Sequence, residues 1–218
     1  ATELANSWRT TGDIRDTWES MASIGFSQNR WALFAAPGHW NDPDMLVVGW
    51  VGWGPNLHST KLTADEQFTH ISLWSLLSAP LLIGCDLDRL DPFTLSLLTN
   101  DEVLAIDQDA LGKQATLVAT QGDEVVLKRN NRPNTKPQTF PAGQVWLKEL
   151  EDGTRAAGLF NLTDHPMKIK ADFAALKLGG KQVVRDVWRQ KDLGSFGDSF
   201  EAEVAPHGVV LVKLTKAQ

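Results

Sequence analysis

The stretch TADEQFTHISLWSLLSAPLLIGCD, residues 63–86, decides the fold class. Thr63 and Glu66 have the spacing of a capping box, apolar residues follow at helical intervals, and Pro80 ends the predicted helix. An apolar strand follows directly over residues 81–84, without alternating polar residues. A helix that leads into a strand of this kind, buried on both faces, is typical of a parallel βαβ unit.

The residues around this stretch continue the alternation of strands and helices. Upstream, the pattern predicts a strand over residues 3–8, a helix over 14–24 with Asp13 as its N-cap, and a strand over 45–48. Downstream, helices are predicted over residues 92–99 and 102–106. One unit of a (β/α)8 barrel takes about 30 residues, so residues 1–112 supply only about three or four units, which is less than half of a barrel.

The character of the sequence changes near Gly112. Eight short runs of β-forming residues follow, separated by turn signals such as Asp152-Gly153, a pattern typical of an antiparallel β-sandwich. The runs cover residues 115–120, 124–129, 144–149, 155–161, 167–171, 182–186, 199–204 and 208–214. We therefore predict an α/β plus all-β protein with two domains, a partial (β/α)8 barrel over residues 1–112 and an antiparallel β domain over residues 113–218.

The composition excludes several classes of protein. Of 218 residues, 42% are hydrophobic and 22% are charged, which is ordinary for a globular protein. The net charge is −6, and the 21 Lys and Arg residues form no cluster that would neutralise a nucleic-acid backbone. No apolar run reaches the roughly 18 residues that a bilayer span needs. We expect neither a nucleic-acid partner nor a membrane partner.

The compartment stays open at this stage. The single cysteine, Cys85, excludes an internal disulfide. The first residues, ATELANSW, have neither the basic start nor the long apolar stretch of a signal peptide. We expect a soluble protein and leave a bacterial periplasmic or secreted location open.

The densest polar groups lie in two loops at the ends of predicted strands, SWRTTGD (residues 7–13) and HWNDPDM (residues 39–45). In parallel α/β folds such ends face the ligand site. Arg9 and Asp13 have two interpretations here. In one, they form a local ion pair and Asp13 caps the next helix. In the other, Asp13 donates a proton to a leaving oxygen while Arg9 binds a substrate hydroxyl.

Other polar residues are interpreted as structural. His39, Asp42 and Asp44 form a loose His-x-x-Asp-x-Asp pattern, but carboxylates at Asp-Pro turns commonly bond their own backbone. We therefore predict no metal site and no cofactor. Glu66 and His70 lie four residues apart on a predicted helix, and we interpret them as a surface pair.

Four segments carry a resemblance to a known family. They are SWRTTGDI (residues 7–14), GHWNDPDMLVVG (38–49), LWSLLSAPLLIGCDL (73–87) and LLTNDEVLAIDQDALGKQ (97–114). In order and in residues they resemble glycoside hydrolase family 27, the α-galactosidase (melibiase) family. The segment DVWRQKDLG (186–194) resembles the family's C-terminal domain, so the resemblance covers essentially the whole chain.

The resemblance implies a fold, an activity and a set of site residues. The fold is a (β/α)8 barrel followed by an antiparallel β domain, and the activity is exo-hydrolysis of terminal α-galactosides with retention, by two carboxylates. In the Trp-Arg-x-x-x-Asp pattern, Asp13 matches the acid/base position and Arg9 matches a sugar-binding position. Asp44 and Met45 match further contacts to the galactose ring.

This sequence lacks one segment of the family pattern. The family nucleophile is the Asp of a Tyr-x-Lys-Tyr-Asp-like segment, and this chain contains no Tyr. The chain therefore resembles the C-terminal part of a family member, from about the sixth barrel strand onward. We expect the 218-residue chain to be inactive alone, and we expect its open sheet edge to pair with the missing N-terminal barrel half or with a second copy.

Two alternative functions stay open. The specificity of α-N-acetylgalactosaminidases or of β-L-arabinopyranosidases is compatible with the same family resemblance. The second alternative is a non-catalytic carbohydrate-binding or structural module, with Trp50 and Trp53 as a stacking platform, although both tryptophans fit equally well as packing for their loop.

Overall fold

The computed structural model describes residues 4–128 and 136–217. The α-helices, α1 to α4, are Trp18–Gly25, Ala64–Leu76, Pro92–Leu98 and Asp101–Asp107. Short 3-10 helices lie at Phe26–Phe34, Gly54–Asn56 and Leu87–Arg89. The strands, β1 to β12, are Ser7–Arg9, Trp40–Asp42, Trp50–Val51, His58–Ser59, Thr116–Leu127, Gln138–Glu149, Arg155–Asn161, Met167–Asp172, Gln182–Asp186, Lys191–Phe196, Ser199–Val204 and Val209–Lys216. None of the helices in these two described stretches is long and apolar enough to cross a lipid bilayer.

The first part of the chain contains parallel strand pairing, but not at every predicted position. Strands β1 and β2 pair in parallel, with Ser7 opposite Trp40 and Arg9 opposite Asp42. The predicted strands over residues 45–48 and 81–84 are wrong as regular strands, because they meet only at one parallel bridge, between Leu46 and Ile83. A run of apolar residues indicates that a segment is buried. A regular strand also needs a neighbouring strand in register with which its backbone can form hydrogen bonds.

The helices confirm one predicted cap and correct another. Helix α2 has the expected capping box, since the Thr63 amide donates to Glu66 Oε2 at 2.8 Å and the Glu66 amide donates to Thr63 Oγ1 at 3.3 Å. Helix α1 begins later than predicted, and its N-cap is Thr17, whose Oγ1 accepts from the Ser20 amide. Asp13 therefore does not cap this helix, and its carboxylate is left for other contacts.

The second part of the chain is antiparallel sheet, as predicted. Its larger sheet has the strand order β10-β9-β12-β7-β6-β5, and β8 pairs with β11 in a second sheet. Apolar residues of both sheets, such as Leu159 and Ile169, share one buried cluster between them, which gives this part its sandwich-like character. The predicted strands over residues 115–120 and 124–129 are one continuous strand, β5, with a bulge between Gln121 and Glu124; position 129 lies outside the described residues. Strand β10 was not predicted.

A continuous apolar cluster joins the two parts of the chain. It includes Trp18 of α1 and Trp74 of α2 together with Trp146 and Phe160 of the larger sheet. The helices of the first part therefore bury their apolar faces against the β-sheet rather than in a separate core.

Glu66 and His70 form no surface pair, and that interpretation is wrong. Both side chains are buried. His70 Nε2 accepts from the Val47 amide at 3.1 Å, and burial lowers the pKa of His70 to about 3. Glu66 Oε1 lies 2.7 Å from Nδ1 of His207, whose ring stacks on Trp18 at 4.1 Å between centroids. This contact across 141 residues of sequence holds the β domain to α1 and α2.

Replacing Glu66 with glutamine is expected to lower the free energy of unfolding by about 1 to 2 kcal/mol at about pH 7. Burial alone would raise the pKa of Glu66, but the hydrogen bonds from His207 and Thr63 outweigh it and hold that pKa below its ordinary value of 4.5. The stabilisation is therefore complete above pH 4.5 and is lost as the pH falls through the folded-state pKa. Urea unfolding at about pH 7 and about pH 3 measures this difference.

The matched control is Asp65→Asn, because Asp65 is an exposed carboxylate in the same first turn of α2. We expect its stability to change by less than about 0.5 kcal/mol. Equal losses in both variants, or a Glu66→Gln loss that is unchanged at acidic pH, would contradict the assignment.

Candidate active site

Strands β1 and β2 end at the same edge of their parallel pair, and the polar residues predicted from the sequence gather there. Arg9 is the last residue of β1, and Asp13 follows in the next loop. Strand β2 ends at Asp42, and Asp44 and Met45 come directly after it. Arg9, Asp13, Asp44 and Met45 all line one open cleft of about 490 Å³.

Arg9 connects the two carboxylates of this cleft. Its Nη2 lies 2.6 Å from Asp44 Oδ2 and 3.5 Å from Asp13 Oδ1. The Asp44 side chain is 5% exposed, whereas that of Asp13 is 91% exposed. The Asp44 carboxylate therefore holds the guanidinium in place, and the Asp13 carboxylate faces the open cleft, where a ligand can reach it.

Asp44 is held by the backbone as well as by Arg9. Its Oδ2 accepts from the Ile14 amide at 2.7 Å, and its Oδ1 accepts from the Met45 amide at 2.8 Å. The residue adopts φ +87°, which is rare for a residue with a side chain. Trp74 Nε1 donates to the Asp44 carbonyl at 2.7 Å and helps to hold this conformation. Strained backbone of this kind clusters at functional sites.

The loop before Asp44 has the turn structure that we favoured for it. Asp42 Oδ1 accepts from the Asp44 amide at 2.7 Å, so this carboxylate bonds its own backbone two residues on. In the part of the chain that the structure describes, no group of three or more His, Cys, Asp or Glu side chains has the geometry of a metal site.

Sequence reasoning missed a second cluster on the same cleft. Asp16 Oδ2 lies 3.0 Å from His58 Nε2 and accepts from the Lys61 amide at 3.1 Å, and Asp16 Oδ1 lies 3.6 Å from Lys61 Nζ. The Asn56 carbonyl and the Asp16 carboxylate raise the pKa of His58. His58 and Lys61 are 42 or more residues from Asp16 in the sequence, so no local pattern predicts these contacts.

The two tryptophans of the Gly/Trp-rich loop differ in their surroundings. The Arg89 guanidinium lies over the Trp50 ring, 5.0 Å from its centroid, in a cation–π contact. Trp53 lines the cleft and is 77% exposed. Trp50 is therefore partly covered, whereas Trp53 is largely exposed.

An arginine and two carboxylates thus meet at the end of a parallel strand pair, next to antiparallel sheet, and hydrolysis of glycosides is one chemistry that uses paired carboxylates. A family model described as alpha galactosidase A matches residues 1–109, and one described as the alpha galactosidase C-terminal beta sandwich domain matches residues 141–214. The chain therefore belongs to the α-galactosidase (melibiase) family, glycoside hydrolase family 27.

Individual relatives agree with this assignment and differ in their activities. A probable alpha-galactosidase of Dictyostelium discoideum is 38% identical over 97% of this chain and 49% of its own length. An alpha-N-acetylgalactosaminidase of Gallus gallus is 32% identical over 96% of this chain and 47% of its own length. The crystal structure of a β-L-arabinopyranosidase from Geobacillus stearothermophilus with arabinose superposes with a TM-score of 0.85 at 32% identity, covering 100% of this chain and 47% of that one. The chain thus spans about half the length of the relatives that it matches.

Proposed function

We propose that this chain is the acid/base-bearing portion of a retaining glycoside hydrolase that removes terminal α-linked galactose. The observation that carries the proposal is the convergence of Arg9, Asp13 and Asp44 on one cleft at the shared end of two parallel strands. In the same proposal, residues 1–112 form about the last three strands of a (β/α)8 barrel and residues 113–218 form the C-terminal β domain.

Each of the four site residues has a proposed role. Asp13 protonates the leaving glycosidic oxygen and then takes the proton from the incoming water, a role that suits its open position in the cleft. Arg9, fixed by Asp44, donates hydrogen bonds from its remaining N–H groups to sugar hydroxyls. Met45 offers an apolar surface to the galactose ring.

The reaction needs a second carboxylate about 5 to 5.5 Å from the first, as the nucleophile. The resemblance places that group in a segment that this sequence does not contain. We therefore propose that a companion polypeptide segment with the remaining barrel strands supplies it.

The exposed apolar residues beside the parallel strands support such a companion. Within residues 4–128 and 136–217, β2 is the only strand that pairs with β1. Ile83, which forms the bridge with Leu46, and its neighbour Leu82 are each 51% exposed. Parallel sheets are normally covered on both faces, so these residues fit a surface that further barrel segments cover. A second copy of the chain on the same surface stays as the alternative partner.

The proposal is tested by assaying the purified 218-residue chain with p-nitrophenyl α-galactoside, alone and mixed with a polypeptide that corresponds to the remaining half of a relative. We expect no turnover by either part alone and clear turnover by the mixture, because only the mixture contains both carboxylates. Turnover by the chain alone that Asp13→Asn abolishes would contradict the need for a companion. An inactive mixture that nevertheless forms a stable complex would contradict the proposed activity.

The exposure of Trp53 favours a second candidate, a non-catalytic carbohydrate-binding module. The two candidates differ in the residues on which galactose binding depends. Binding that is lost in Trp50→Ala and Trp53→Ala but unaffected by Arg9→Ala favours the module. Binding that depends on Arg9 favours the hydrolase. Among hydrolase specificities, the names of the relatives keep α-N-acetylgalactosaminidase and β-L-arabinopyranosidase activity as alternatives to α-galactosidase activity.

A further inference from the structure

His58, on strand β4, has a hydrogen-bond acceptor at each of its two ring nitrogens. Nδ1 lies 2.6 Å from the Asn56 carbonyl oxygen, and Nε2 lies 3.0 Å from Asp16 Oδ2. A carbonyl and an ionised carboxylate only accept hydrogen bonds, so each ring nitrogen needs a proton to complete its contact. The neutral imidazole carries one such proton, whereas the imidazolium carries two. The geometry therefore fits the charged form of His58.

The two contacts of His58 join separate segments of the chain. Asn56 lies in the turn between β3 and β4, and Asp16 lies three residues after Asp13 in the loop before α1. The Asp16 side chain is only 12% exposed, and its Oδ2 also accepts from the Lys61 amide, just beyond β4, at 3.1 Å. One sheltered carboxylate thus binds the β3–β4 hairpin and the residues after it to the loop that carries Asp13.

These two segments form much of the candidate cleft. The loop supplies residues 13–17 to its lining, and the hairpin supplies residues 51–53. The loop is also held from the β2 side, because the Ile14 amide donates to Asp44 Oδ2 at 2.7 Å. With the loop held there, the contacts of Asp16 fix where the hairpin stands relative to it. The separation of these two parts of the cleft therefore depends on the partners of Asp16.

We propose that Asp16 and His58 are positioning residues of this cleft, which hold the β3–β4 hairpin against the Asp13 loop as long as His58 carries both ring protons. When His58 loses one proton, one of its two contacts loses its donor, and the hairpin is held less firmly. The inference rests on the proposed function, because it takes this cleft as the galactose site. Galactose binding is then strongest while His58 is charged.

The surroundings of His58 give this dependence its sign. The Asn56 carbonyl and then the Asp16 carboxylate raise the pKa of His58 above its ordinary value of 6.5, and they outweigh desolvation and the charge of Lys61. The stabilisation from the contacts is complete below pH 6.5 and is lost as the pH rises through the folded-state pKa. Histidine ordinarily changes its charge in this range, and His58 is the only histidine among the described residues that line the cleft. Besides Asp16 and His58, the charged side chains of the lining are Arg9, Asp13, Arg15, Glu19, Asp44 and Lys61.

The test is a ¹H–¹⁵N NMR titration of the 218-residue chain from about pH 5 to about pH 9, without ligand and then with galactose. We expect the Trp53 indole N–H and the Lys61 amide signals to shift with the same midpoint as the ring signals of His58. Galactose should bind about threefold more weakly at about pH 9 than at about pH 6. Asp16→Asn removes the negative charge, so it should lower the His58 midpoint and weaken galactose binding about threefold at about pH 6 as well. His58→Gln should remove the pH dependence of binding, because the position no longer titrates.

Asp164→Asn is the matched control. Asp164 pairs with His165 at 3.1 Å, and both side chains are exposed and lie outside the cleft lining. This variant should leave the Trp53 signal and the galactose affinity unchanged at every pH.

Two results would overturn the inference and leave the proposed function standing. One is that the Trp53 and Lys61 signals stay in place while His58 titrates. The other is that galactose binds the unaltered chain with the same affinity at about pH 6 and about pH 9. If galactose binds the unaltered chain at no pH, the galactose site is overturned together with the positioning role that rests on it.

Discussion

Asp13→Asn is expected to lower kcat/KM of the completed enzyme for an alkyl or glycosyl α-galactoside by about 10² to 10⁴-fold. The completed enzyme is the 218-residue chain together with the companion segment that carries the nucleophile. Asparagine keeps the shape of the side chain and cannot donate a carboxyl proton, so the leaving alkoxide departs without protonation. With a strongly acidic phenol as the leaving group, the first step should lose much less rate, because that oxygen departs without help.

Glu19→Gln is the matched control, since Glu19 is a carboxylate of the same cleft outside the Trp-Arg-x-x-x-Asp pattern. This variant should retain kcat/KM within about threefold, because it removes a charge without removing the proton donor. Steady-state kinetics with two leaving groups measures both effects. An Asp13→Asn loss that is the same for acidic and basic leaving groups would contradict the acid role and point to a binding role instead.

Features that depend on local sequence were predictable. The capping box of α2 and the antiparallel character of the second part follow from patterns within a few residues of one another. The strand at residues 45–48 was wrong for a physical reason. Its apolar residues are buried, but regular pairing depends on neighbours that no window around Leu46 can specify.

The candidate site likewise contains contacts that the sequence predicts and contacts that it does not. The contact between Arg9 and Asp44 was predictable only in part. Arg9 lies just after the strand predicted over residues 3–8, but the strand that ends at Asp42 was not predicted, and Asp44 comes before the strand expected over residues 45–48. The contact between His58 and Asp16 was not predictable, because the two residues are 42 positions apart in the sequence and neither forms part of a local pattern. From their spacing of four residues, Glu66 was predicted to pair with His70 on the same helix. Its partner is instead His207, 141 residues away in the sequence.

Lys148 is the other polar residue whose importance only the structure shows. It lies on β6, is fully buried, and donates from Nζ to the carbonyls of Ser75 and Ile106 and to Ser78 Oγ. The two carbonyls belong to the last turns of α2 and α4, where helix carbonyls lack partners within the helix. One ammonium group thus caps two helices of the first part from a strand of the second. Burial lowers the pKa of Lys148, and Asp107 is the charged neighbour that opposes this most.

Lys148→Met is expected to lower the free energy of unfolding by about 3 kcal/mol, because methionine fills the space but leaves the buried Ile106 carbonyl without this donor and removes one of the donors to the Ser75 carbonyl. The matched control is Lys113→Met. Lys113 makes an ion pair of 2.6 Å with Glu149 but is 56% exposed, so its loss should be less than about 1 kcal/mol. Urea unfolding of both variants at one pH gives the comparison. Equal small losses would mean that water or a rearranged donor reaches the two helix ends, and that Lys148 contributes little to holding the first part to the β-sheet.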